Sequence, residues 1–200
     1  MLFPLPHTGT IQEVIDKHAV KEIVEYERFC RDQHLWEQMY DCYANDSSVN
    51  VSWYHGSGHG FVKASSKMDV SAPHKLHNTM VWLYENKAIA ITMASIQIRK
   101  QIENHTMDLT SYVRLLYKIK KAGGDWKIQS MDCIYEKDSL VPAIPEFLSE
   151  SNNSAYRASY HNLASILGQE GYQINSNLPG DDILESVDLL YANVEQWLTE

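Results

Sequence analysis

His74 follows Pro73 at a point where a loop feeds a strand. Proline fixes its own φ, so an imidazole placed just after it is aimed by a stiff backbone, as a general base must be. His77, in the same short run, competes for that role. Asp32 closes the first helical stretch beside Phe29, Leu35 and Trp36. Its carboxylate points either to a cavity mouth or into a solvated turn; an apolar surround raises a carboxyl's pKa and a nearby imidazole lowers it again. His55 and His59, with His74 and His77, would offer four imidazoles to a metal. The first pair lies in a Gly-rich stretch without helical geometry and neither pair adjoins a Glu motif, so no metal and no cofactor is expected. The Gly-Ser-Gly-His-Gly run from Gly56 to Gly60 lacks a following Gly-Lys-Ser/Thr, and no G-x-S-x-G occurs, which removes the phosphate cradle and the nucleophile elbow.

The elements that must carry these groups come in two textures. From Thr10 to Arg31 apolar residues recur at Ile11, Val14, Ile15, Ala19, Ile23, Tyr26 and Cys30, the period of one amphipathic helix, and Thr10 with Glu13 reads as its capping box. Gln33 to Tyr43 repeats the pattern and Asn45-Asp46-Ser47-Ser48 breaks it. Val49 to Tyr54 reads as a strand, His55 to Gly60 as a flexible loop and Phe61 to Val70 as a third helix. Strands follow at Thr79 to Tyr84, Ala88 to Ile102, Asp108 to Lys120 and Trp126 to Tyr135, joined by turns at Glu85-Asn86-Lys87, Asn104 and Ala122 to Asp125. Val141 to Pro145 closes the sheet and Ser149 to Ser154 is a polar linker. Helices first and an antiparallel meander afterwards define an α+β class, with the helices on one face of a curved sheet. Two more amphipathic helices, Tyr156 to Glu170 and Asp181 to Leu198, form a tail. The second has an apolar stripe of Ile183, Val187, Leu190, Tyr191, Val194 and Trp197 that must dock on this sheet or on a second subunit.

The 200 residues at 44% apolar content suffice for one core. Three cysteines without CxxC spacing argue for reduced interior thiols. Neither a signal-peptide pattern at the start nor an apolar run long enough for a membrane span is found, so a cytoplasmic protein with no membrane partner is expected. A net charge of −9 repels phosphate backbones, which excludes nucleic acid as a partner.

The stretch Ala19 to Trp36, with Asp32 four positions before Trp36, resembles the opening helix of the SnoaL-like branch of the nuclear transport factor 2-like superfamily. His74-Lys-Leu-His-Asn78 leading into Thr79 to Tyr84 resembles that family's pocket histidine and strand entry, and the hairpin from Tyr112 to Trp126 is a third match. The likeness covers about residues 11 to 140. It is strongest to bile acid 7-alpha-dehydratase and more distant to scytalone dehydratase and hexachlorocyclohexane dehydrochlorinase. The resemblance implies a cone-shaped curved antiparallel sheet around one pocket, residues 1–145 forming the barrel domain and residues 146–200 a C-terminal helical extension of it. It implies that Asp32 orients and charges His74, whose gapless spacing to Ala88 favours it over His77. Gln97 falls where relatives carry a site carboxylate or a second histidine; an amide can bond a substrate oxygen but cannot move a proton. Glu27 stands where the bile acid enzyme has a pocket tyrosine, as a replacement acid or simply as a solvated helix carboxylate. Ser111 and Tyr112 share a strand that orients substrate in relatives, and alternation turns only one of them inward. Trp53, Tyr54, Trp82, Met93 and Met131 are core or pocket lining. The function implied is a cofactor-independent, dehydratase-like lyase or isomerase acting on a hydrophobic hydroxylated small molecule, and the alternative is a non-catalytic binding module of the same fold. A homodimer or higher homo-oligomer formed through the outer sheet face is implied as well.

Overall fold

Thr10 caps the first helix as its sequence predicts: its hydroxyl accepts from the Glu13 N–H while the Glu13 carboxylate accepts from the Thr10 N–H. In a computed structural model, which describes Pro4, residues 9–144 and residues 156–200, this helix α1 runs Ile11–Asp32. Pro145 and the linker expected from Ser149 to Ser154 lie outside the described residues. His34, at φ 59, turns the chain into a short helix α2, Trp36–Cys42. Strand β1, Tyr43–Val51, starts at once. The expected break at Asn45 to Ser48 therefore lies inside a strand, at the point where its register against a neighbour slips and side chains reach solvent. The expected loop from His55 to Gly60 is also ordered. Its first half is β2, Tyr54–Ser57, and its second half opens α3, Gly58–Ser65, with the Ser57 hydroxyl accepting from the Gly60 N–H. A Cβ at Gly58 would come within 2.4 Å of the Tyr43 ring and of the Ser47 hydroxyl, so glycine serves close packing here rather than looseness.

Four long strands complete the sheet: β3, His74–Tyr84, β4, Lys87–Ile102, β5, His105–Ala122, and β6, Asp125–Pro142. Tight turns join them, with positive φ at Glu85, Glu103, Gly123 and Gly124. The order is β2-β1-β6-β5-β4-β3. Every pairing is antiparallel except β1 on β6, so the sheet is mixed and open. All six of its strands precede the tail in sequence.

Two faces result. The inner face carries even-numbered β4 residues such as Ala90, Ala94, Ile96 and Ile98 and odd-numbered β5 residues such as Leu109, Val113, Leu115 and Tyr117, packed with α1 and α3. The outer face carries Ile89, Ile91, Leu116 and Ile134. β3 changes parity midway: His74 and Leu76 precede a register shift, and Val81 and Leu83 follow it on the same core. The extra residue is His77, a β-bulge that lets His74 and the apolar end of the strand face inward together.

The tail splits between the faces. A 3₁₀ turn, Ala158–Tyr160, leads into α4, His161–Gln169, on the inner side. The Asp138 carboxylate of β6 accepts from the Leu163 N–H at 2.8 Å and from the Asn162 amide at 2.7 Å, capping α4 from outside its own sequence. Gly180 then continues the sheet where β1 has ended: Tyr135 N–H donates to the Pro179 carbonyl, and Asp181 N–H to the Tyr135 carbonyl. Helix α5, Leu184–Thr199, closes over the outer face with Val187, Val194 and Leu198 buried. Of the two docking places left open by the sequence, the chain's own sheet takes the stripe. Ile183, expected on it, precedes the helix and is 44% exposed. The helix starts late because Asp181 pairs with Arg114 and Asp182 with Arg157. Among the described residues no helix is long and apolar enough to cross a membrane.

If α5 holds by this apolar seam, Val194→Ala, at a fully buried site, will lower the unfolding free energy by roughly 2 kcal/mol in urea titrations. Leu189→Ala, on the solvent side of the same helix at 64% exposure, will change it by less than about 0.5 kcal/mol. Equal effects would mean that the helix is not seated this way.

Candidate active site

The buried stripe of α1 turns polar at its C-terminal end, where Glu27, Arg28 and Arg31 follow Val20 and Val24 inward. Glu27 is fully buried and is neither a solvated carboxylate nor a cavity wall. It accepts from Arg28 through both oxygens, the Nε contact at 2.5 Å, and from the Tyr43 hydroxyl at 2.9 Å. A buried carboxylate is tolerated only with such partners. The expectation of Glu27 as a ligand contact is therefore corrected: it is the counter-charge that lets Arg28 enter the interior.

Asp32 ends the helix and reaches β3. Its Oδ2 accepts from the His74 backbone N–H at 2.6 Å and its Oδ1 meets His74 Nδ1 at 3.0 Å. Arg31 Nη1 donates to the same Oδ1 at 3.1 Å and to the Ala72 carbonyl at 3.1 Å. Burial opposes ionisation of Asp32, but the His74 bonds and the Arg31 charge outweigh it and hold the carboxyl at about 2. For His74 burial dominates. With the charges of Arg31 and Arg28 it overrides the Asp32 bond and lowers the imidazole to about 4. At neutral pH the pair is thus a carboxylate and a neutral ring. A carboxylate only accepts, so Nδ1 carries the proton and Nε2 is the nitrogen left to take one.

His74 lines a narrow inner cavity of about 30 Å³, room for one or two waters with the side chains in these positions. Arg28 and Arg31 enter it from α1, Trp53 and Phe61 from the β1–β2 end and α3, Ile96 and Leu115 from the middle strands. The tail's α4 adds Leu163 and Leu167 to the wall. Asp32 stands behind His74 and opens to a neighbouring polar cleft, which also holds His34 and Trp36.

Several expected contacts do not meet this cavity. Gln97 is an odd-numbered β4 residue on the outer face and exposed; Ile96 and Ile98 occupy the inner positions beside it. Tyr112 is likewise outward, 38% exposed, with Lys137 5.6 Å over its ring. Ser111 is the inward member of that pair, fully buried but not part of the cavity wall. Trp82 packs with the α5 cluster on the outer face, and Met93 is exposed there. His77, as the bulged residue, is exposed. Tyr54 and Met131 are core, and only Trp53 among the proposed aromatic residues lines the cavity. Arg28, Arg31, Ser52 and Tyr135 were not singled out from sequence. The two arginines carry a readable signal: they sit at the spacing that continues the stripe of Val20 and Val24. The described residues contain no group of three or more His, Cys, Asp or Glu that could hold a metal.

No family model matches the chain. A PEP2-like protein of Fusarium vanettenii is 26% identical over 214 aligned residues, which span 96% of this chain and 89% of that protein. Among solved structures, an NTF2-like protein with a cystatin-like fold from Novosphingobium aromaticivorans superposes with TM-score 0.51 at 12% identity, over 62% of this chain and 83% of its own. The fold is nuclear transport factor 2-like. A type 2 hexachlorocyclohexane dehydrochlorinase, LinA, superposes on that NTF2-like frame with TM-score 0.56 at 10% identity, over 69% of this chain and 95% of its own. A candidate scytalone dehydratase of N. aromaticivorans gives 0.51 at 14% identity, over 73% and 97%.

The titrations have a definite sign. Between pH 6.5 and about 4 the unfolded chain protonates the His74 position while the folded protein does not, so stability falls as pH falls through that window. Asp32 adds a second fall between 3.8 and about 2, because it stays ionised only when folded. Urea unfolding of the wild type will lose on the order of 2 kcal/mol more between pH 7 and pH 5 than that of His74→Gln. Glu27→Gln, which leaves Arg28 without its counter-charge, will cost about 3 kcal/mol at pH 7.

Proposed function

We propose that this protein is a cofactor-independent lyase or isomerase, dehydratase-like in chemistry, acting on an apolar small molecule that carries an oxygen function. The observation that carries this reading is a neutral imidazole in the wall of an apolar cavity with its Nδ1 proton committed to a buried carboxylate. His74 Nε2 takes a proton from carbon, and the C–H electron pair becomes a C=C bond or an enolate. Asp32 stabilises the imidazolium so formed and fixes the ring. In an elimination the imidazolium returns its proton to the departing oxygen; in an isomerisation it returns it to a different carbon. Arg31 is the group for the negative charge that develops on the substrate oxygen, because its Nη2 has only the weakly accepting Met68 thioether at 3.5 Å in place of an oxygen. That role was expected of Gln97 with Tyr112 or Ser111; Gln97 and Tyr112 face outward, and Ser111 is buried outside the cavity wall.

A non-catalytic binding module is the second reading. It is favoured by the cavity wall, where His74 is the one imidazole and no carboxylate joins it among the described residues. Mass spectrometry after incubation with a panel of hydroxylated bicyclic and tricyclic ketones separates the two. We expect a compound that is converted by the wild type, converted about 10²- to 10⁴-fold more slowly by His74→Ala, and still bound by that variant. Asp32→Asn will slow the same conversion and steepen its dependence on pH. A compound bound equally by wild type and His74→Ala and recovered unchanged from both would establish the binding module instead.

A further inference from the structure

Helix α1 has two long faces, and the cavity accounts for one of them. Val20, Val24, Glu27 and Arg31 point inward. The opposite side carries Ile11, Val14, Ile15, Tyr26 and Phe29, five large apolar side chains between 44% and 82% exposed. At about 100° per residue, these five and His18, Lys21, Glu22 and Glu25 fall within about 140° of one another, on the side away from Val20 and Glu27. Ile11, Ile15, His18, Glu22, Glu25 and Phe29 follow one another at alternating steps of four and three residues, the spacing of a helix-pairing seam. The Tyr26 and Phe29 rings stack with centroids 6.5 Å apart. Single exposed apolar side chains need no explanation, whereas clustered ones on a seam do.

The order of residues along the seam selects its occupant. Ile11, Val14 and Ile15 form an aliphatic patch at the N-terminal end, Tyr26 and Phe29 an aromatic patch at the C-terminal end, and His18, Lys21, Glu22 and Glu25 separate them. A second copy of the helix laid antiparallel, with its centre at the level of Val20, sets Ile11 opposite Phe29, Ile15 opposite Tyr26 and Glu25, and His18 opposite Glu22. Each aliphatic patch then meets an aromatic one, and the match occurs twice, as a two-fold axis requires. A parallel copy would set Glu22 on Glu22 and Glu25 on Glu25, and like charges facing each other destabilise a helix pair. Lys21 already pairs with Glu25 of its own helix at 3.7 Å, so the polar centre carries both signs. Beside the seam, Ala19, Ile23, Tyr26 and Trp126 line a shallow groove.

We propose that this protein pairs with a second copy of itself through the exposed face of α1, the two helices running antiparallel and the Ile15 side chain of each copy entering the groove beside Tyr26 of the other. The seam is about 27 Å long from Ile11 to Phe29 at 1.5 Å per residue. It leaves the outer sheet face, which α5 partly covers, out of the interface. Phe29 lies three residues before Asp32, so pairing holds the end of α1 that carries Arg31 and Asp32. The charge of −9 on each chain opposes association, and salt weakens that opposition by screening. The proposal stands apart from the catalytic reading and does not depend on it.

Sedimentation equilibrium of the full chain, at about 150 mM salt to screen the net charge, is the test. Between roughly 1 and 100 μM the wild type will pass from 23.0 kDa towards twice that mass, as a small specific interface does in that range. Ile15→Lys and Phe29→Lys will each weaken association by at least about tenfold. Their melting temperatures in dilute solution will stay within about 2 °C of wild type, because both sites are exposed. Met93→Lys and Tyr112→Lys, on the outer sheet face, will leave association unchanged. A short bis-maleimide linker will join Ile11→Cys to Phe29→Cys in a mixture of the two variants and join neither to itself, since the three native cysteines are buried. A wild type that is monomeric at every concentration overturns the proposal and leaves the seam to residues 1–8 of the same chain or to an unrelated partner. Association lost in the outer-face variants and kept in the α1 variants overturns it in favour of pairing through the sheet. Ile11→Cys joined to itself overturns the antiparallel arrangement.

Discussion

One carboxylate joins the two halves of this fold. Asp32, the last residue of α1, accepts from both the backbone and the ring of His74, the first residue of β3. A buried carboxylate must be surrounded by donors, and these come from the sheet edge and from Arg31 of its own helix. The consequence is positional. The helix end cannot slide along the inner face without leaving a charge unpaired, so Arg28 and Arg31 are held over the cavity and the imidazole is held in its wall. Glu27 repeats the device one turn earlier, neutralising Arg28 beneath the Tyr43 hydroxyl. Two adjacent ion pairs thus bring polar chemistry into an apolar cone with little net charge.

Which side chains enter that cone is decided by parity. The long strands alternate strictly until a bulge adds one residue, and each bulge exchanges the faces beyond it. The bulge at His77 gives β3 an inward histidine at its start and inward Val81 and Leu83 further on. On β4 no such slip intervenes against β5, so Gln97 stays outside and Ile96 and Ile98 stay inside. A polar residue one position from the cavity is as remote from its chemistry as one on a different element.

The tail works on both sides of the sheet. α4 enters on the inner side under the Asp138 cap and supplies Leu163 and Leu167 to the cavity wall, and the segment after it braces the Ser52 turn. α5 takes the outer face, where it covers Ile89, Ile91, Leu116 and Ile134. That is the face through which the family resemblance implied pairing of subunits. Met93 and Tyr112 remain exposed on the part that α5 does not cover.

The local code was enough for much of this. Periodicity, the capping box at Thr10 and Glu13 and the turn residues located α1, the four long strands and both tail helices, because those signals are written in neighbours along the chain. The break expected at Asn45 to Ser48 and the loop expected at His55 to Gly60 misled, because polar and glycine residues suit turns as well as edge strands tightly packed under α3. Asp32 and His74 were identified as a pair by resemblance, and the bond between them is a tertiary fact. The inward course of Arg28 and Arg31 is readable in their spacing from Val20 and Val24, whereas the outward course of Gln97, Tyr112 and Trp82 was decided only in three dimensions. Alternation along a strand says that neighbours face opposite sides, but which side meets the core is set by the pairing of the strands and by the helices packed on them.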